Sequence, residues 1–165
     1  MGKTEGDGAA LKKAIRRMDS VQELVRKYPD ELLLATTAAD IRRASSESKI
    51  ACLMGVEGGH IIEGELAALR ALFRLGARYM TLTHSFNTAW ADSSGTGGAV
   101  DAEHEGLTGF GDEIVLEMNR LGMMVDVSQV GGCIVHNHDI RVFSNHGYFF
   151  LPSPFSRIAT RALYS

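Results

Sequence analysis

Apolar positions recur along the chain in two rhythms. From Ala9 to Tyr28, Ala14, Ile15, Met18, Val21, Leu24 and Val25 return at threes and fours with Lys and Arg between them, the spacing of an amphipathic helix. Pro29 ends it, because a proline ring cannot continue a helical ladder. "ELLLAT" (31–36) is a short apolar run, and Thr37 is a predicted cap for a helix from Ala38 to about Ser48. Ile50 to Val56 predicts a buried strand that stops on Glu57, with Gly58, Gly59 and His60 directly behind it. "GELAALRALFRLG" (64–76) predicts a helix with Leu66, Leu69, Ala71, Leu72 and Leu75 on one face and Gly76 as its stop. "RYMTLTHS" (78–85) is the next predicted strand. Residues 87–109 form a loop rich in Gly, Ser and Asp, of a length that points to function or disorder. "FGDEIVLEMNRLG" (110–122) predicts a helix stopped by Gly122, and "MMVDVSQ" (123–129) a last strand.

Strands alternating with helices place the chain in the α/β class, with parallel pairing and right-handed crossovers. Two architectures fit: an open doubly wound sheet, or part of a (β/α)8 barrel. "GVEGGH" is not the Gly-x-Gly-x-x-Gly turn that nucleotide-binding doubly wound sheets carry. Glu57, His84 and the Asp126–Gln129 stretch all fall at the carboxyl ends of predicted strands, where barrel enzymes keep their chemistry. The expected fold is therefore a partial TIM barrel of about four βα units, about half of a whole one. Its expected bounds are a leader at 1–8, the barrel part at 9–130 and an irregular tail at 131–165.

Composition narrows the partners. Of 165 residues, 45% are hydrophobic and 22% charged, which excludes wholesale disorder. A formal net charge of −3 gives nucleic acid or an anionic membrane nothing to bind. Cys52 and Cys133 cannot build a disulfide framework, and Cys52 is expected to be a small core residue. No apolar stretch reaches the ~18–20 residues of a membrane helix. "MGKTEGDGAALKK" has no hydrophobic signal region, and Gly6 stands where a myristoylation pattern wants Ser or Thr. Cytoplasmic residence is the default expectation.

Several side chains are candidates for chemistry, each with a plainer alternative. Glu57 is either a solvated strand terminus or a carboxylate presented to a metal or ligand, with bare glycines beside it to let the backbone come close. His60 is a second polar wall or a helix start. His84 is a structural hydrogen-bonder or a catalytic imidazole, and Trp90 a pocket wall or a core residue. Asp126, between Val125 and Val127, needs a partner if it is buried. "HNHD", His136 to Asp139, has the spacing of a metal tract, a match that short sequences also reach by chance.

The stretches "GVEGGH" (55–60), "RALFRLGARYMTLTHSFNTAWAD" (70–92) and "GLTGFGDEIVLEMNRLGMMVDVS" (106–128), in this order, closely resemble the membrane (renal) dipeptidase family. These are zinc-dependent dipeptidases with an amidohydrolase-like barrel, and the likeness runs from about residue 12 to about residue 130. The resemblance implies hydrolysis of a dipeptide by a hydroxide activated between two zinc ions. It implies that Glu57 bridges those Zn2+ ions, the glycines making room for metal and substrate. It implies that His84 contacts the substrate near the scissile carbonyl. It also implies a homodimer, and family members can be membrane-anchored or secreted.

The chain departs from the family in four places. "GDGAA" lacks the His-x-Asp pair of the family's first strand. Gln129 stands where the family has a zinc-binding histidine, and Arg157 where the segment "FSRIATRAL" would bring another. After Val130 the likeness ends, as a splice or frame change in the coding sequence would produce. The alternative expectation is a truncated, inactive fragment or pseudoenzyme that binds a partner or pairs with a subunit. A doubly wound small-molecule-binding domain is a third reading, without a phosphate turn to support it.

Overall fold

The computed structural model describes residues 8–95, 100–131, 134, 142–143 and 149–150. The chain divides into two compact units, Met1–Val56 with His60–Tyr79 and Glu57–Gly59 with Met80–Ser165. It is a mixed α/β protein with parallel strand pairs.

The first unit opens with α1, Ala9–Lys27, in which Met18 is buried while Ile15 and Leu24 stand exposed. Its N-cap Gly8 has no side chain to satisfy the free N–H groups of the first turn. The Glu63 carboxylate takes that role from outside the helix, accepting from Gly8 N at 2.6 Å and Leu11 N at 3.1 Å. β1, Leu32–Leu34, leads to α2, Ala38–Ser46, which starts on a capping box. Thr37 Oγ1 accepts from Asp40 N, and Asp40 Oδ2 accepts from Thr37 N at 2.9 Å and Thr36 N at 3.0 Å. Hydrogen bonds from the Thr37 side chain and the Thr36 N–H pull the Asp40 carboxyl down to about 2.

The predicted strand over 50–56 is two strands. β2, Ile50–Cys52, pairs in parallel with β1, in the register Leu32↔Ile50 to Leu34↔Cys52. β3, Met54–Val56, instead neighbours β4, Ala77–Thr81. One apolar run thus serves two partners, with Leu53 as the break. Gly55 allows the second pairing, since a Cβ there would stand 2.0 Å from the Tyr79 ring.

A 3₁₀ turn at Gly59–Ile62 precedes α3, Leu66–Arg74, which buries Ala68, Leu69 and Leu72. Gly76, at φ 110°, stops it as predicted. Arg78 fastens the following strand: its guanidinium donates to the carbonyls of Thr36, Phe73 and Ala77 and lies 4.3 Å from the Phe73 ring centroid.

In the second unit, β5, Met124–Asp126, lies beside the end of β4 and pairs in parallel with β6, Val142–Phe143. β6 runs antiparallel to β7, Phe149–Phe150. These strands fall in a tail predicted to be irregular; valine and phenylalanine favour pleated surfaces and supply them. α4, Gly109–Leu121, is capped by Thr108, whose hydroxyl accepts from Gly111 N, and ends on Gly122 at φ 75°. Met80, Leu82, Trp90, Ile114 and Met118 are almost wholly buried here. β4 and β5 are shorter than predicted, so His84 and Gln129 lie beyond these strands rather than in them, while Glu57 directly follows β3 as predicted.

Candidate active site

Glu57 is the first residue after β3, His84 stands three residues after β4, and Gln129 three residues after β5. They meet. Glu57 Oε1 lies 3.5 Å from His84 Nε2 and accepts from Gln129 Nε2 at 3.4 Å. The Glu57 and His84 side chains are 69% and 42% exposed, so the pair adds little stability at a water-filled surface. Its value is position.

The imidazole's other nitrogen fixes its orientation. His84 Nδ1 lies 3.1 Å from Ser85 Oγ. With the proton on Nε2, the ring turns a donor toward Glu57 and leaves Nδ1 to accept from the serine hydroxyl. The other tautomer would place two acceptors face to face across 3.5 Å.

The two glycines each have a backbone or packing reason of their own. Gly58 takes φ 103°, a conformation that side chains resist, and its N–H reaches Thr81 Oγ1. Gly59 lies against the Trp90 indole: an added Cβ would stand 2.2 Å from the ring and 2.4 Å from the Leu82 carbonyl oxygen. Trp90 is accordingly a core residue at 1% exposure, and its Nε1 is buried without a hydrogen-bond partner among the described residues.

His60 sits in the 3₁₀ turn, half-buried. Asp126 ends β5, and its Oδ1 accepts from Ser128 N at 2.9 Å. Cys52 is free and half-buried. His136 to Asp139, Cys133 and Arg157 lie outside the described residues.

Two residues of the long loop were not singled out as candidates in the sequence, where Asp92 closes the polar run that begins at His84 and Ser93 is one of the loop's serines. Asp92, 2% exposed, accepts from the backbone N–H groups of Glu103 at 2.8 Å, His104 at 3.1 Å and Gly106 at 2.9 Å. Burial pushes its carboxyl up, and the N–H groups of Glu103, Gly106 and His104 outweigh that and hold it below the ordinary range. Ser93, 4% exposed, donates to the His84 carbonyl.

Residues 1–138 match the sequence profile of the membrane dipeptidase family, peptidase family M19. The chain belongs to this family. It is 41% identical to dipeptidase 3 of Mus musculus over 135 residues, covering 78% of this chain and 26% of the mouse protein. It is 42% identical to dipeptidase 3 of Macaca fascicularis over 127 residues, covering 74% and 24%. The M19 chain described here thus spans about a quarter of the length of these relatives. Among solved structures it superposes on the probable dipeptidase PvdM from Pseudomonas aeruginosa with a TM-score of 0.67, at 27% identity, over 73% of this chain and 31% of that one. It superposes on a metallo peptidase from Rhodobacter sphaeroides, liganded with a phosphinate mimic of the dipeptide L-Ala-D-Ala, with a TM-score of 0.65, at 25% identity, over 75% and 37%.

A metal cofactor accompanies such relatives, and the donor set of this chain can be weighed against it. A closed zinc site takes about four N, S or O donors, and a catalytic one about three from protein. Glu57 and His84 offer one carboxylate and one imidazole; Gln129 adds a neutral amide. Among the described residues no group of three or more His, Cys, Asp or Glu stands close enough to hold a metal ion. These residues do not fit a two-metal centre by themselves.

Proposed function

We propose that this chain serves the hydrolysis of dipeptides, as part of a zinc-dependent dipeptidase in which Glu57 is the metal-facing carboxylate and His84 the substrate-contacting imidazole. Its strands would form about half of a (β/α)8 barrel. The observation that carries the proposal is the 3.5 Å approach of Glu57 to His84 at successive strand ends, in a chain of the M19 family. A dipeptide carbonyl gains negative charge as water attacks it, and a preset N–H donor favours that charge. His84 Nε2–H is such a donor, and the Glu57 carboxylate holds it in place beforehand. Zinc enters only with donors from beyond the described residues.

The test joins zinc content after dialysis to dipeptide turnover. Glu57→Gln is expected to abolish turnover, and His84→Ala to lower it by about 10²- to 10³-fold. Turnover indifferent to Glu57→Gln would overturn the proposal.

A second reading is a chain that binds or pairs without turning over. The Gln129 amide favours it, bonding Glu57 where a metal ligand would be needed. No zinc, no turnover and a size that grows with concentration would support this second reading.

A further inference from the structure

We propose that Ser93 is a positioning residue for the Glu57–His84–Gln129 cluster, its buried hydroxyl holding the carbonyl of His84, the imidazole that faces Glu57. β4 ends at Thr81 and β5 at Asp126, and the last bond between them runs from Leu82 N to the Asp126 carbonyl at 3.2 Å, so His84 and Gln129 stand past it. Sheet hydrogen bonds therefore do not fix either backbone. The loop does. Ser93 Oγ donates to the His84 carbonyl at 2.5 Å and lies 3.3 Å from the Gln129 carbonyl oxygen. Thr83 Oγ1 at 2.6 Å and Ser94 N at 3.1 Å complete the hold on the Gln129 carbonyl.

The serine itself is fixed on several sides. Its N–H donates to Asn87 Oδ1 at 2.8 Å, its Oγ accepts from Gly95 N at 3.1 Å, and it bridges to Val130 in antiparallel fashion. Its neighbour Asp92 gathers three backbone N–H groups and accepts from Gly131 N at 2.8 Å through its own carbonyl. Removing the hydroxyl frees the His84 carbonyl, while Thr83 Oγ1 and Ser94 N keep that of Gln129, and shifts of about 1 Å are enough to spoil a preset contact.

The importance of the cluster rests on the dipeptidase reading above, but the clamp is tested without substrate or metal. In the full chain, NMR of the His84 ring nitrogens reads its contact with Glu57: Glu57→Gln moves the Nε2 signal. In Ser93→Ala and Ser93→Val that response is expected to shrink at least roughly twofold, as coupling between neighbours is lost. Ser93→Thr, which matches valine in shape but keeps the hydroxyl, is expected to retain it. Folded Ala and Val variants with the full response would overturn the proposal. If neither folds, Ser93→Cys, whose thiol is a weak donor in the same place, is expected to show the same loss, and an unchanged response there overturns the proposal. A response lost in Ser93→Ala, beside turnover in the parent chain that is indifferent to Glu57→Gln, would sink the dipeptidase reading and leave the clamp standing.

Discussion

Gly59 lies so close under the Trp90 indole that a Cβ at position 59 would stand 2.2 Å from the ring. The contact lies two residues from Glu57 and ties the turn behind that carboxylate to the core. It also bears on stability, because the Leu82 carbonyl oxygen closes the same space from a second direction at 2.4 Å.

Gly59→Ala is therefore expected to destabilise the chain by about 1–3 kcal/mol, the cost of overpacking a filled site. Gly55→Ala should cost less. There the obstructing atoms are the far end of the Tyr79 ring, which can swing aside, whereas a backbone carbonyl cannot. Urea unfolding of the two variants checks the order, and equal midpoints would contradict it.

Much of the framework was legible from spacing. The helices announced themselves by period, and their ends by Thr37, Gly76 and Gly122, because capping is a local matter of one residue and its immediate neighbours. The division of 50–56 was not legible. An apolar run records that a segment is buried but not that its partner strand changes midway at Leu53. The meeting of Glu57 with His84 was foreshadowed by their places at strand ends, while the hydrogen bond from the Gln129 amide depends on three-dimensional proximity across 72 residues. Asp92 and Ser93 were hidden for the same reason. Their partners at 84, 103–106 and 129 lie 9 to 36 residues away, and a polar loop with such contacts has the composition of one without them.

Acid should loosen that loop. The Asp92 carboxyl is held below its ordinary 3.8 by the backbone donors it faces, and Asp40 is drawn from 3.8 to about 2 by its capping box. A carboxyl lowered on folding contributes stability that is fully present above the unfolded value and is lost as pH falls through the folded one. Thermal stability is expected to hold at neutral pH and to fall once pH drops below about 4. Asp92→Asn keeps one acceptor and loses the other, stranding a buried N–H at a cost of about 1–3 kcal/mol at neutral pH. It should also flatten part of the acid limb. An acid limb unchanged in Asp92→Asn would show that this carboxylate does not govern it.

Gln129 offers the most direct trial of what the cluster lacks. Its Nε2 donates to Glu57 at 3.4 Å, while its Oε1 is buried without a hydrogen-bond partner among the described residues, so the amide satisfies the carboxylate at the expense of its own acceptor. Gln129→His would replace that amide with an imidazole beside Glu57 and His84, assembling three groups of the kind that hold zinc where two now stand. Zinc retained after dialysis is expected to rise to near stoichiometric in this variant and to stay well below that in the parent chain. Adding Glu57→Gln should remove the gain, since the carboxylate is then gone from the centre of the three. The added metal should also raise the unfolding temperature in step with zinc concentration, as any ligand specific to the folded state does. Zinc uptake identical in parent and variant would mean that the three side chains do not converge on a common point, and with it would go the placement of Glu57 as the metal-facing carboxylate.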